Sequence, residues 1–213
     1  MPYDRKDAST RTEGQVAGSV TVTGLARNPL TEKPSFIVPD NEPEKNVYYW
    51  KDMAAMAQAA AEYSTAVGAE SAALGEQSTA TGAAAYATGD GSTANGALSE
   101  ASGVESTAVG YFSTASADGA TALGAESTAS GEDSTAVGFA SNASQIGASA
   151  FGEGADASGA YASALGSESI ASGQQATATG FRSDASGVGA SAIGSYSVAA
   201  GYLGSAIGYG ADA

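Results

Sequence analysis

Small residues recur with a period of seven from residue 63 to the end of the chain. A glycine ends nearly every unit from Gly68 to Gly208, and an alanine stands two places before that position in all 21 units. The residue four places before it is serine or alanine in all but one unit. Only Ala117 and Gln145 replace the terminal glycine. Such regularity favours a repeat architecture over the disorder that low hydrophobicity and high charge otherwise suggest.

A seven-residue period is also typical of coiled coils, but those need large apolar residues at two positions of each heptad. Here the regular positions hold alanine and glycine, and each glycine costs a helix about 1 kcal/mol. A strand and a turn in each unit fit better, because side chains alternate between the two faces of a strand. We therefore expect the serine-or-alanine position and the alanine position to face a very narrow interior, with the glycine in the turn.

The residues that directly precede the glycine show that the true period is fourteen. They are mostly large and apolar in alternate units, and mostly small and polar in the units between. The first set, the apolar row, is Val67, Thr81, Asn95, Val109, Leu123, Val137, Phe151, Leu165, Thr179, Ile193 and Ile207. The second set, the polar row, is Leu74, Thr88, Ser102, Ser116, Ser130, Ser144, Ser158, Ser172, Ser186 and Ala200. Each coil thus has two strands, and the one with the apolar row is expected to pack against other copies of the chain.

The chain before the repeat has a different charge balance. Seven of the eight lysines and arginines lie in the first 51 residues together with seven acids, so the remainder carries the net charge of −15. Residues 1–45 contain all five prolines, which predicts an extended arm. This arm is either an anchor that becomes ordered when it binds a partner, or a tail that binds no partner. Residues 46–62 are rich in alanine and predict a short helix or neck, with Trp50 and Met53 on its apolar face.

Composition argues against catalysis. The chain has no cysteine and no histidine, which removes disulfides, thiolate metal sites and the commonest general base. The adjacent acids Glu132 and Asp133 are expected to be solvated charges on a turn. The segment Gly89-Asp90-Gly91 is similar to a calcium-binding or phosphate-binding loop, but its glycines fit the repeat. We expect no enzyme activity, no cofactor and no metal site. The net charge disfavours nucleic acid and anionic membranes, and no stretch approaches the roughly 20 apolar residues of a membrane helix.

Two further columns suggest surface roles. Aromatic residues follow the repeat glycine at Tyr111, Phe112, Phe139, Tyr161, Phe181, Tyr196, Tyr202 and Tyr209. We expect these rings to stack on neighbouring coils, with contact to a glycan or a protein as the alternative. Threonines recur from Thr65 to Thr135, as in ice-binding solenoids, but serines such as Ser149 interrupt their column.

The units "STAVGAESAALG" (64–75) and "STAVGFASNASQ" (134–145) resemble the head repeats of YadA-like trimeric adhesins. The resemblance covers residues 63–213. It implies an all-β fold, a left-handed parallel β-roll or solenoid of 14-residue coils, assembled as a homotrimer. The extended N-terminal arm and the short helix expected from the composition would precede this roll. The residues expected to pack in that trimer are Val109, Leu123, Val137, Phe151, Leu165, Ile193 and Ile207.

The resemblance also implies a fibre. YadA-like heads occur on bacterial surfaces, and similar repeats occur in phage virion fibres that assemble in the host cytoplasm. Because no signal peptide, coiled-coil stalk or C-terminal membrane strand is visible, we expect a phage structural protein: a capsid fibre or head decoration. Its arm, residues 1–45, would bind the major capsid protein or another virion protein. Adhesion to a host-surface glycan or protein is a further expectation. The alternatives are the head fragment of a trimeric autotransporter adhesin at the bacterial surface and a phage tail-fibre component.

Overall fold

The fold is taken from a computed structural model that describes residues 57–213 and two short strands before them. The two strands are β1 (Ala26–Arg27) and β2 (Pro34–Ser35), which pair antiparallel. They belong to a compact unit separate from the one that contains residues 57–213. The rest of the predicted arm lies outside the described residues.

The predicted helix over residues 46–62 is wrong where the structure describes it. Gln58–Ala59 forms a strand, β3, and the amide of Gln58 donates to the carbonyl oxygen of Ser71 in the next coil at 2.7 Å. Alanine has a high helix propensity, but pairing with the following coil decides the conformation because propensity is a weak prior beside tertiary contacts. The predicted neck residues Trp50 and Met53 lie outside the described residues.

Residues 57–213 form two parallel sheets of eleven strands each, and the chain alternates between them. Sheet I consists of the three-residue strands β4 (Thr65–Val67), β6 (Thr79–Thr81), β8 (Thr93–Asn95), β10 (Thr107–Val109), β12 (Thr121–Leu123), β14 (Thr135–Val137), β16 (Ser149–Phe151), β18 (Ser163–Leu165), β20 (Thr177–Thr179), β22 (Ser191–Ile193) and β24 (Ser205–Ile207). Sheet II consists of the two-residue strands β3, β5 (Ala72–Ala73), β7 (Tyr86–Ala87), β9 (Glu100–Ala101), β11 (Thr114–Ala115), β13 (Thr128–Ala129), β15 (Asn142–Ala143), β17 (Asp156–Ala157), β19 (Ile170–Ala171), β21 (Asp184–Ala185) and β23 (Val198–Ala199).

Neighbouring strands in each sheet are fourteen residues apart, as in the pairing of Ala108 with Ala122. Each coil therefore contributes one strand to each sheet, and the predicted 14-residue β-roll with two strands per coil is confirmed. The edge formed by the turns after the sheet I strands is referred to below as edge I, and the edge formed by the turns after the sheet II strands as edge II.

The interior between the sheets holds only very small side chains. Ala122 and Ala129, from the two strands of one coil, have no exposed surface, and neither does Ser127 in the turn that joins them. The same pattern repeats along the roll, so both predicted inward positions are confirmed. Two sheets this close leave space for a methyl or a hydroxymethyl group and for nothing larger.

The glycines are required for two different reasons. On edge I they adopt a left-handed backbone, as at Gly124 with φ of +142°, where a side chain is strained. On edge II the glycine that ends each unit lies outside the left-handed region, but a Cβ on Gly131 would collide with the backbone carbonyl of Gln145 in the next coil. Both natural exceptions, Ala117 and Gln145, fall on edge II, where the backbone itself tolerates a side chain.

Most of the buried serine hydroxyls are satisfied within their own turn. The Ser127 Oγ donates to the carbonyl oxygen of Gly124 at 2.8 Å, and serines in equivalent positions do the same. The Oγ atoms of Ser92, Ser106 and Ser134 are buried without a hydrogen-bond partner among the described residues. A buried polar group without a partner costs stability, so these three serines are local weak points.

Two alanine substitutions separate these cases. Ser127→Ala removes a formed hydrogen bond and is expected to lower the free energy of unfolding by about 0.5–1.5 kcal/mol. Ser134→Ala removes a hydroxyl that has no partner, and the equivalent positions Ala120 and Ala148 already carry alanine, so no loss or a gain is expected. Urea unfolding followed by circular dichroism measures both, and an equal loss in the two variants would contradict this account.

Candidate assembly interface

The apolar row runs along the outer face of sheet I, at the last position of each strand. Register pairs Val109 with Leu123, Leu123 with Val137 and Val137 with Phe151. All seven residues predicted to pack in a trimer lie in this one row. Because adjacent strands in a sheet are about 4.8 Å apart, the five side chains from Val109 to Leu165 form a continuous apolar strip.

Most of this strip is exposed in a single chain. The exposed fraction is 37% for Leu123, 41% for Phe151 and 71% for Ile207, while Val137 is half-buried. The alanine and serine interior contributes little apolar burial of its own, because a methyl buries far less area than a leucine or phenylalanine side chain. A long, aligned, exposed apolar strip of this kind marks an interaction surface.

Two polar stretches interrupt the row. Thr81 and Asn95 are adjacent in register, between Val67 and Val109, and Thr179 lies next to Ile193. They divide the strip into a single valine, a five-residue apolar block and a terminal pair of isoleucines. These three polar residues are visible in the sequence of the row, but their spacing alone indicates no role for them.

The threonine column lies on the same face as the apolar row, two positions earlier in each strand. Thr107 and Thr121 are paired in register and half-buried. A partner that covers the apolar row would also approach this column. The position of the threonines is therefore compatible with packing and gives the ice-binding alternative no independent support.

The aromatic residues are divided between the two edges. On edge I, the rings of Phe181 and Tyr196 meet edge to face with centroids 5.3 Å apart, and those of Tyr196 and Tyr209 at 5.8 Å. The predicted stacking on neighbouring coils is confirmed for these three. Tyr161 and Tyr202 lie on edge II.

Edge I also holds the one basic side chain of the described roll. Arg182 pairs with Glu168 of the preceding coil, with Nε and Oε2 2.6 Å apart. The hydrogen bond to Glu168 and its negative charge raise the pKa of Arg182. Both side chains are half-exposed, so this surface ion pair contributes little to stability.

Edge II is divided into an acidic half and an apolar half, a feature that sequence analysis missed. The first six turns carry exposed acids at Glu62, Glu76, Asp90, Glu105, Asp118, Glu132 and Asp133. The last five turns carry no acid, and their exposed large apolar residues are Ile146, Tyr161, Val188, Tyr202 and Leu203. Inspecting every second turn of the sequence would have revealed the division.

Two of these acids stabilise the roll itself. The Oδ1 of Asp90 accepts a hydrogen bond from the backbone amide of Glu76 at 2.9 Å, and that of Asp118 accepts one from Val104 at the same distance. Each bond joins a turn to the turn of the preceding coil. Gly89-Asp90-Gly91, the segment similar to an ion-binding loop, thus holds two coils together.

Acidic side chains are spread along the described part of the chain and are not clustered as metal ligands would be. Within residues 57–213, no three acidic side chains come close enough together to hold a metal ion. In the same residues no helix is long and apolar enough to cross a membrane. The geometry of the roll is that of a surface for packing.

Comparison with known families identifies the repeat. Five consecutive segments match the profile described as the YadA head domain repeat (2 copies), at residues 55–71, 73–99, 101–127, 129–155 and 157–183. Together they cover more than half of the chain. The chain belongs to the YadA head domain repeat family. YadA head domains are adhesin-like, surface-exposed structural modules that form homotrimers.

Short matches to a different group of proteins are also found. The chain is 41% identical over 58 residues to Surfeit locus protein 1 of Xenopus tropicalis and of Mus musculus, and 45% identical over 57 residues to a SURF1-like protein of Monosiga brevicollis. These alignments cover 27% of this chain and span only about a fifth of each relative. Unlike the YadA head match, they carry no conclusion about the fold or function.

Proposed function

We propose that the protein is a homotrimeric structural fibre in which the apolar row of each chain packs against the other two. The observation that carries this proposal is the alignment of eight large apolar side chains on the outer face of sheet I. The interior is filled with alanine and serine, so the largest apolar side chains of that sheet face outward. Membership of the YadA head family supports three as the number of chains.

The polar row supports the choice of face. It occupies the equivalent position on sheet II, where Ser116, Ser130 and Ser172 are exposed. Covering serines gains little, whereas burying a leucine, isoleucine or phenylalanine contributes about 1.5–3 kcal/mol. Sheet I is therefore the face that gains most from association, and sheet II remains in contact with solvent.

Charge placed in the apolar row tests this assignment. Leu123→Asp and Ile193→Asp should each dissociate the trimer, because a carboxylate would be buried among apolar side chains. Ser130→Asp is the matched control on the polar row and should leave the mass unchanged. Light scattering of the purified proteins gives the mass, and trimers in all three variants would show that the row is not the interface.

We further propose that residues 1–45 anchor the fibre to a larger particle, a phage capsid, through the major capsid protein or another virion protein. Support comes from the sequence, which places nearly all the lysines and arginines and every proline before the acidic roll. The second candidate, the head of a trimeric autotransporter adhesin on a bacterial surface, is favoured by the family match. A tail-fibre component is the third.

Antibodies against the roll distinguish these locations. Immunogold electron microscopy of the virus or cells that carry the gene is expected to show label over the capsid surface. Label on the bacterial envelope would support the adhesin alternative, and label on tails would support the tail fibre. Pre-immune serum on the same grids is the control.

Adhesion to a host-surface glycan or protein is proposed as an additional role. The C-terminal half of edge II supports it, because Tyr161 and Tyr202 are exposed there in a region without acids. Exposed tyrosines combine a large apolar body with a hydrogen-bonding tip, which suits both glycan and protein contacts. The negative charges on the acidic half of the same edge repel one another between fibres and so favour solubility.

A further inference from the structure

The regularity of the roll leaves the axial alignment of three packed chains poorly determined by shape. All coils have the same backbone and the same small interior residues. If one chain slips along the axis by one coil, ten of its eleven sheet I layers still meet a layer of its neighbours. Side chains that differ from layer to layer must therefore decide which alignment is preferred.

Asn95 is the residue in the apolar row that differs most from the others. It is the one amide among the eleven residues of the row, and register places it between Thr81 and Val109. Its side chain is exposed and forms no hydrogen bond to another residue within 57–213. An amide carries two donor hydrogens and one acceptor oxygen, and covering it by apolar partners would leave all of them unpaired.

We propose that Asn95, with Thr81 beside it, fixes the axial register of the fibre. This inference rests on the proposed trimer. In the aligned trimer the three Asn95 amides share one layer and pair with each other. A slip by one coil instead places Asn95 of one chain against Val109 of another, and an unpaired buried amide is unfavourable. A single buried asparagine selects register in coiled coils by the same physics, at a cost in stability.

Thr179 is the other polar interruption, but it discriminates less. A threonine side chain carries a methyl group that can pack against Ile193, its neighbour in register. Phe151 is the largest residue of the row, yet both of its neighbours, Val137 and Leu165, are apolar. A slip at Phe151 replaces one apolar contact with another, whereas a slip at Asn95 replaces a contact between two amides with a contact between an amide and an apolar side chain.

Disulfide exchange between layers reports the register directly, because the chain contains no cysteine. A Leu123→Cys chain and an isotopically heavy Val137→Cys chain are refolded together and oxidised. Disulfides need Cα atoms within about 4.4–6.8 Å, so aligned trimers favour links between like positions. A one-coil slip brings the thiol of the Leu123→Cys chain opposite the thiol of the Val137→Cys chain, and mass spectrometry counts these mixed links.

Asn95→Val in both chains is expected to raise the mixed fraction at least threefold and to raise the thermal unfolding temperature. A residue that fixes the register lowers stability while it raises the preference for one alignment, so its replacement should raise the unfolding temperature and weaken that preference. Replacing an ordinary packing residue would not change the two quantities in this way. Ser102→Val, in the same coil but on the polar row, is the matched control and should leave the mixed fraction unchanged. Moving the amide with Asn95→Val/Val109→Asn should restore the low fraction.

An unchanged mixed fraction in trimeric Asn95→Val would overturn the proposal, and so would loss of the trimer in that variant, because valine should strengthen the strip. Light scattering of the parent chain, which keeps Asn95, distinguishes failure of the register proposal from failure of the proposed trimer. A monomeric parent refutes the trimer and with it the register device. A trimeric parent with unchanged mixed links refutes the register device alone.

Discussion

The narrow interior of the roll is the constraint on which the rest of the structure depends. Two sheets joined by short turns lie so close that Ala122, Ala129 and Ser127 fill the space between them. Larger side chains must point outward, and the close approach of successive turns excludes a Cβ at most turn glycines. One geometric limit thus explains the alanine, serine and glycine composition and the strict seven-residue spacing.

The same limit creates the need for assembly. A core of methyl and hydroxyl groups gains little from burial, so the backbone hydrogen bonds between coils and the outer faces must supply the remaining stability. Sheet I carries the apolar row on its outer face, while sheet II presents mostly serines in the equivalent positions. In the proposed fibre, the hydrophobic core of the trimer therefore lies between the three chains. Edges I and II stay exposed, where charged side chains are solvated and other molecules can bind.

The periodic part of the structure could be predicted from the sequence because every coil repeats the same constraint. The 14-residue coil, the two inward positions and the apolar row all follow from spacing. The helix prediction was wrong at Gln58–Ala59 because the alanines of this segment fit both a helix and the roll. Ala57 and Ala59 stand at the two inward positions of the repeat, seven residues before Ser64 and Ala66. Local propensity could not show that the next coil would supply hydrogen-bond partners.

Features that depend on a single coil were harder to predict. The hydrogen bonds from backbone amides to Asp90 and Asp118 form because two successive turns lie at the right distance and orientation. The sequence does not reveal that geometry. The tolerance of Ala117 and Gln145 follows from a backbone angle that differs between two otherwise similar turns. The acidic and apolar halves of edge II became visible only when alternate turns were assigned to separate edges.

The dependence of the unfolding temperature on protein concentration tests the central claim most directly, that the apolar row is the shared core of three chains. For a trimer that unfolds to separate chains, dilution favours dissociation, so the unfolding temperature should fall as the protein is diluted. The mass before unfolding should be three times that of the 20.6 kDa chain. An unfolding temperature independent of concentration, together with the mass of a single chain, would contradict the account.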